Sequence, residues 1–237
     1  MKTPTLYLIP APLAPVPVTA VLPEDHMTLV RTLTHFVVEE LRTARRYLSA
    51  LGLKPDDLHL DVLNEHTSAE EHPALLAPLR QGTSMGLLSE AGYPAVADPG
   101  AELVALAHKE QFRVVPLVGP SSIGMALMAS GLNGQQFAFH GYLPVQALLR
   151  DKKIKELERQ SAKEQQTQIF METPYRNASV FEALLKCCAP QTKLTLAIHI
   201  THPQAFICTK TIEEWKHNRP DFEEVYRKKP CVYLLMS

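Results

Sequence analysis

Residues 87–100 read LLSEAGYPAVADPG. An apolar run ends abruptly in glycine, two prolines and two carboxylates, a composition suited to a loop that holds one shape. Gly92 stands where backbone passes close to a neighbour, and Pro94 and Pro99 stiffen the path onward. The continuation DPGAELVALAHKEQ predicts a helix with Asp98 at its N-cap and Pro99 at its first position, where a missing N–H costs nothing. Strand, rigid loop and helix make one step of a β-α-β-α chain.

The same rhythm extends in both directions. TLYLIPA (5–11) predicts a strand cut off by Pro10 and Pro12. MTLVRTL predicts a short helix, HFVVE a strand, and a helix from about Leu41 stops at Gly52. HLDVLNE (59–65) and SMGLLSE predict strands around EEHPALLAPLRQG, a helix shortened or kinked by Pro73 and Pro78. RVVPLVG is a further strand, and SSIGMALMASG a helix capped by Ser121 or Ser122 and closed by Gly131. Apolar strands that do not alternate belong in a parallel sheet covered on both faces. Beyond Gly131 come FAFHGYLP, a charged helix from about Gln146 to Gln165, TQIFMETP, the helix NASVFEALLKCCA, KLTLAIHI, AFICTK, TIEEWKHN and KPCVYLLMS. Their closely spaced final strands predict a mixed sheet. The fold class is therefore α/β with two α/β domains: residues 1–117 around a mostly parallel sheet, and residues 118–237 around a mixed one.

Composition narrows the function classes. The 237 residues are 46% hydrophobic and 21% charged with a formal net charge of −1, ordinary globular usage that excludes low complexity. No global field draws the chain to nucleic acid or an anionic membrane, so such a partner needs a local patch. The longest apolar stretches, such as VVPLVG and VYLLM, fall short of the roughly 20 residues of a membrane span. The proline-broken N-terminus makes a poor export signal, and the chain reads as cytoplasmic. Four cysteines without a C-x-x-C spacing predict reduced thiols rather than a zinc or redox site. His199 and His202, three apart in LAIHITH, would point to opposite faces of a strand, so no metal site is expected.

In a parallel sheet, ligands bind beyond the carboxyl ends of the strands, which places the loops after IPA, VVE, LLSE and VVPL on the functional edge. LVGPSSIG sets Gly119, Pro120, Ser121 and Ser122 at a strand-to-helix junction with exposed N–H groups. Neither loop carries a G-x-G-x-x-G or Walker fingerprint. Read by themselves, both serve equally as tight connections, with Ser121 a helix cap.

Taken in order, LYLIPAPL, VEELRTARRYLSALG, NEHTSAEE, LLSEAGYPAVADPG, VVPLVGPSSIGMALMASG, FAFHGYLP, FMETPYR and KPCVYLLMS resemble the tetrapyrrole-methylase-like methyltransferases, which use S-adenosyl-L-methionine. The nearest branch methylates a ribose 2′-oxygen of small-subunit ribosomal RNA. The resemblance implies a two-domain fold, usually a homodimer, with the cofactor folded between domains. By position, Leu13, Ser89, Glu90, Gly92 and Tyr93 would line the cofactor, largely through main-chain groups. Gly119, Pro120, Ser121 and Ser122 would form the hinge, with Met171 and Ala197 as an adenine wall. Methyl transfer from a sulfonium needs alignment and no metal. Glu40 and Arg42, just past a strand's carboxyl end, are the candidate catalytic pair, as base or substrate-orienting groups. A helix-start charge pair explains them equally. Glu90, His140, Glu65 and His66 are secondary candidates. Ribosomal RNA would be met by local charge, either Arg150, Lys152, Lys153 and Lys155, unless these form a solvated helix face, or Arg227, Lys228 and Lys229.

The chain departs from the family's pattern in places. APLAPVP lacks the family's glycine, Glu90 replaces an aspartate and Tyr93 a threonine. Ile198, His199 and His202 stand where the branch has Arg-Glu and Lys, and the sequence stops at the catalytic unit. Three other readings accompany the main one: a methyltransferase of a small molecule such as a tetrapyrrole, a cofactor-binding module with little or no turnover, and a flavodoxin-like signalling domain.

Overall fold

In the computed structural model, which describes residues 3–237, the chain forms two units, Met1–Ser121 and Ser122–Ser237. The first is built on β1 (Thr5–Ile9), α1 (Glu24–Val30), β2 (His35–Val38), α2 (Leu41–Ala50), β3 (His59–Val62), α3 (His72–Leu75), α4 (Ala77–Arg80), β4 (Met85–Leu88), α5 (Ala101–Lys109) and β5 (Arg113–Pro116). Its five strands run parallel in the order β3-β2-β4-β1-β5. Helices cover both faces, as the unbroken apolar strands predict. One face packs Ile9, Phe36, Val38, Leu48 and Leu51, the other Leu6, Val37, Leu87, Leu103 and Ala107. Central β4 needs glycine at position 86, because a Cβ there would lie 2.6 Å from Ile9 Cδ1 and 2.8 Å from Phe36 Cδ1. Pro73 and Pro78 divide the expected helix into α3 and α4, each with proline near its start.

Two expectations fail in this unit. β3 ends at Val62 rather than residue 65, because Asn64 turns the chain and its side-chain oxygen accepts the His66 N–H at 2.9 Å. Asp98 does not cap α5, and Pro99 is not its first residue. Gly100, with φ of 126°, precedes the helix, and a Cβ at that position would sit 2.8 Å from Leu87 Cδ2. The tight packing of that turn delays the helix until Ala101.

The second unit contains α6 (Ser122–Ser130), β6 (Phe137–Tyr142), α7 (Ala147–Glu164), β7 (Thr167–Glu172), α8 (Asn177–Cys187), β8 (Lys193–Ile198), β9 (Phe206–Thr211), α9 (Ile212–His217) and β10 (Cys231–Met236). Its sheet, β6-β7-β10-β8-β9, is mixed, since β6 and β7 are parallel and the remaining neighbours antiparallel. Phe170, Tyr233, Leu196, Phe181 and Trp215 share the core on one face. The four cysteines are free.

The pair His199 and His202 overturns a third expectation. β8 stops at Ile198, and His199 enters the left-handed region with φ of 54°. Strand alternation no longer applies past that point, so the two rings stack with centroids 3.9 Å apart. No cluster of three or more metal-ligating side chains occurs among the described residues.

Candidate functional site

The carboxyl ends of the parallel strands are level, with Ile9 and Val38 both beside Leu88 and Leu8 beside Pro116. Pro10, Glu39, Ser89 and Leu117 therefore begin their loops side by side. These loops are stitched together across the sheet edge. Ala11 and Gly92 exchange two backbone hydrogen bonds of 2.9 and 3.0 Å. The Glu90 N–H donates to the Glu39 carboxylate at 3.1 Å, and the Tyr93 hydroxyl to the Gly119 carbonyl at 3.1 Å. Buried Tyr47 donates to the Pro10 carbonyl at 2.8 Å, and burial pushes its phenol pKa upward. The Val118 N–H donates to His26 Nδ1 at 3.1 Å.

The geometry revises what the glycines and prolines do. Gly92 and Glu90 do not present these main-chain groups to a ligand; they spend them on the adjacent loops. Gly92, with φ of 76°, is left-handed, and a Cβ on it would approach Leu13 Cδ2 to 3.2 Å and the Pro120 carbonyl oxygen to 3.8 Å. Gly119 is tighter still, since its Cβ would lie 2.4 and 2.6 Å from the Pro10 ring carbons. Leu13, Gly92, Tyr93, Gly119 and Pro120 are thus brought together. Ser121 and Ser122 follow directly, where α6 begins.

Four carboxylates share this edge, and their environments separate them. Glu40 caps α2, accepting the Arg42 N–H at 2.9 Å, the Thr43 N–H at 2.6 Å and the Thr43 hydroxyl at 2.9 Å. Those bonds, the one from the Arg42 N–H foremost, hold its pKa below the ordinary carboxylate value. Such a group is a poor proton acceptor and a good helix anchor. The helix-start reading of Glu40 is thereby the one its contacts express. The Arg42 side chain is exposed and has no hydrogen-bond or ion-pair partner among the described residues. Because Glu40's pKa is depressed, its stabilising effect is present above pH 4.5, the unfolded value, and is lost as pH falls through the folded value. Glu40→Gln is accordingly expected to lower the urea midpoint at pH 7 and to match the parent at pH 3; equal midpoints at pH 7 refute the capping role.

Glu39 and Asp98 behave differently. Burial raises the Asp98 carboxyl to about 6, reinforced by the charge of Glu39. The Ser89 hydroxyl is near enough to oppose that shift, yet it is buried without a hydrogen bond of standard geometry. Burial also raises Glu39, against the Glu90 N–H that it accepts. The Thr43 hydroxyl lies 3.1 Å from Glu90 and 2.9 Å from Glu40, so one hydrogen is divided between two carboxylates. No Lys, Arg or His among the described residues forms an ion pair with Glu39, Glu90 or Asp98. The edge is an under-neutralised acidic patch with an unsatisfied hydroxyl beside it. Such a surface suits a cationic ligand.

The remaining candidates lie elsewhere. Glu65 and His66 form an exposed pair at 3.6 Å and join none of these contacts. In the second unit, His140 is held by buried Gln168 at 2.6 Å. Met171 and Ala197 both register with Val232 of β10, forming one cross-strand apolar row on the sheet face away from Phe170, Tyr233 and Leu196. Sequence reasoning missed Val232, His26 and Glu39, and gave Asp98 only a capping role. The VVEE doublet was the available signal for Glu39, since its first glutamate is nearer the strand end.

The family model of the Tetrapyrrole (Corrin/Porphyrin) Methylases matches residues 27–216. A protein of Vibrio cholerae named Ribosomal RNA small subunit methyltransferase I is 29% identical over 198 residues, covering 84% of this chain and 65% of the relative. One of the same name from Mesorhizobium japonicum is 35% identical over 178 residues, covering 75% of this chain and 55% of the relative. The chain thus spans less than two thirds of the length of these relatives. Uroporphyrin-III-C-methyltransferase from Thermus thermophilus shares the fold, with a TM-score of 0.57 at 18% identity over 99% of this chain and 93% of that one. With a match across most of its length and the two-sheet architecture in place, the chain belongs to the tetrapyrrole (corrin/porphyrin) methylases.

Proposed function

We propose that this protein binds S-adenosylmethionine at the carboxyl edge of its parallel sheet and methylates a ribose 2′-oxygen of small-subunit ribosomal RNA. The observation that carries the RNA substrate is the alignment with relatives named for small-subunit ribosomal RNA methylation over 75–84% of the chain. The cofactor's sulfonium carries positive charge and supplies an activated methyl group. Asp98, Glu39 and Glu90 offer it negative charge without a competing cation, and Ser89 offers an unsatisfied hydroxyl. Leu13, Gly92, Tyr93 and the Gly119–Pro120 turn shape the wall beside them. Arg42, exposed at the start of α2, would meet a phosphate of the substrate, while Glu40 fixes the helix that carries it. The protein acts in the cytoplasm as a homodimer, and the exposed apolar side chains Val145, Leu148 and Tyr175 support the dimer. No helix among the described residues is long and apolar enough to cross a membrane.

Calorimetry with S-adenosylmethionine, followed by labelled-methyl transfer to unmodified small ribosomal subunits, tests this reading. Absence of binding overturns it. Binding without transfer to any RNA favours the cofactor module instead. Asp98→Asn supplies an independent check. A folded pKa near 6, above the unfolded 3.8, means that this carboxyl's contribution to stability is fully present below pH 3.8 and lost as pH rises through 6. The variant is therefore expected to gain about 1–2 kcal/mol at pH 8, less than the full linkage value because the group is partly solvated. Its affinity for the cofactor should fall. A stability loss at pH 8 contradicts the assignment.

A further inference from the structure

The turn after β8 gathers three basic side chains without a counter-charge. His199 and Thr201 both take left-handed φ values, 54° and 72°, a conformation that non-glycine residues rarely keep unless the surroundings impose it. The His199 N–H donates to the Pro230 carbonyl at 2.9 Å, which draws the segment entering β10 against this turn. Buried Asn177 grips the Lys229 carbonyl at 2.8 Å and fixes that segment in place. His199, Gln204, Val225, Tyr226 and Lys229 line a cavity of about 410 Å³. His199 is only 8% exposed, its ring lies against His202 at 3.9 Å and 16°, and its Nδ1 has no hydrogen-bond partner. The Thr201 hydroxyl is likewise buried without one. The Gln204 N–H donates to His202 Nδ1 at 3.1 Å, so neutral His202 carries its proton on Nε2. Among the described residues, no carboxylate forms an ion pair with His199, His202 or Lys229.

We propose that this cavity is an oxyanion site that takes the phosphate group of a nucleotide, with Lys229 and the His199 imidazole as its donors. A charged His199 would be repelled by His202 and Lys229, and a bound anion offsets that repulsion. The cavity is larger than a bare oxyanion requires and falls within the roughly 300–1,000 Å³ of small-molecule sites. The Tyr226 ring and Val225 give the attached nucleoside an apolar wall. The phosphate can belong to a free nucleotide or to an RNA strand, which share this chemistry. The proposal does not depend on methyl transfer, and binding alone tests it.

Burial, His202 and Lys229 all hold His199 below its ordinary pKa, so it is neutral near pH 7. The groups facing it are His202, Lys229 and the Tyr226 phenol; none is acidic at that pH. A bound anion raises the histidine pKa, so anion affinity must rise as pH falls. Titration of the full chain with sulfate, whose charge is constant over the range, is expected to show roughly tenfold tighter binding at pH 5.5 than at pH 8. Adenosine 5′-monophosphate and a short single-stranded RNA form the other two arms. Tighter binding of the nucleotide than of sulfate supports a free-nucleotide source, and binding of RNA alone supports a strand. Lys229→Met should weaken the preferred ligand by roughly tenfold and Lys229→Arg should restore it. Far-ultraviolet circular dichroism checks that each variant folds. Unchanged affinity in Lys229→Met, a flat pH profile with sulfate, or no binding of any of the three probes overturns the proposal.

Discussion

Gly119→Ala is expected to destabilise the protein by about 2–3 kcal/mol and to weaken cofactor binding at least severalfold. Two effects compete at this position. Replacing glycine reduces the freedom of the unfolded chain and on that account favours folding by about 0.4–1 kcal/mol, because Gly119 does not have a left-handed φ. Against this, the new Cβ lands 2.4 and 2.6 Å from two carbons of the Pro10 ring and 3.4 Å from Leu22 Cδ2. A flexible side chain would rotate away from such a contact, but a proline ring has no rotamer to escape into. The Pro10 carbonyl is also pinned by Tyr47, and the Gly119 carbonyl by Tyr93. Relief therefore requires the loops after β1 and β5 to part, and the clash outweighs the entropy gain. Gly134, with nothing within 4 Å of its virtual Cβ, is the control, and Gly134→Ala should be neutral or slightly stabilising. Urea unfolding measures both variants; equal midpoints for Gly119→Ala and the parent refute the packing at this edge.

Trp215→Ala should cost about 3–5 kcal/mol, the range for truncating a large buried aromatic side chain. Trp215 is fully enclosed, meets the Phe181 ring edge-on at 5.8 Å, and packs against Phe206 at 6.4 Å. Its indole N–H donates to the Leu194 carbonyl at 2.8 Å, tying α9 to β8. The capping box of Thr211 and Glu214 sets the start of that helix, so the indole is presented from a fixed frame. Trp215→Phe keeps much of the packing and loses the hydrogen bond, and a smaller loss of about 1–2 kcal/mol is expected. The chain has one tryptophan, so circular dichroism must follow both variants. A loss below 1 kcal/mol for the alanine variant contradicts the core described around it.

The loop LLSEAGYPAVADPG shows where sequence reading succeeds and where it stops. That it joins a buried strand to a helix at the functional edge follows from the apolar run, the prolines and Gly92, all local signals. That Gly92 pairs with Ala11, and that Glu90 leans on Glu39, does not. The Glu39–Glu90 bond spans 51 positions. Likewise Glu40 and Arg42 were legible as a helix start beside the edge, but Glu40's cap and Glu39's burial separate two adjacent glutamates that look alike in sequence. The turn at His199 failed for a related reason. Alternation predicts opposite faces only while the strand lasts, and β8 ends one residue earlier, against the segment entering β10.

By itself, the order of apolar runs, prolines and glycines determined the α/β class, the parallel and mixed sheets and the family, because those depend on local periodicity and on motifs read in sequence. Tertiary structure alone decided which carboxyls are raised in pKa, which main-chain groups remain for a ligand, and that Met171, Val232 and Ala197 form one row. A group's solvation and hydrogen-bond partners come from residues remote in the chain, and these set its charge and availability more than its neighbours in sequence do.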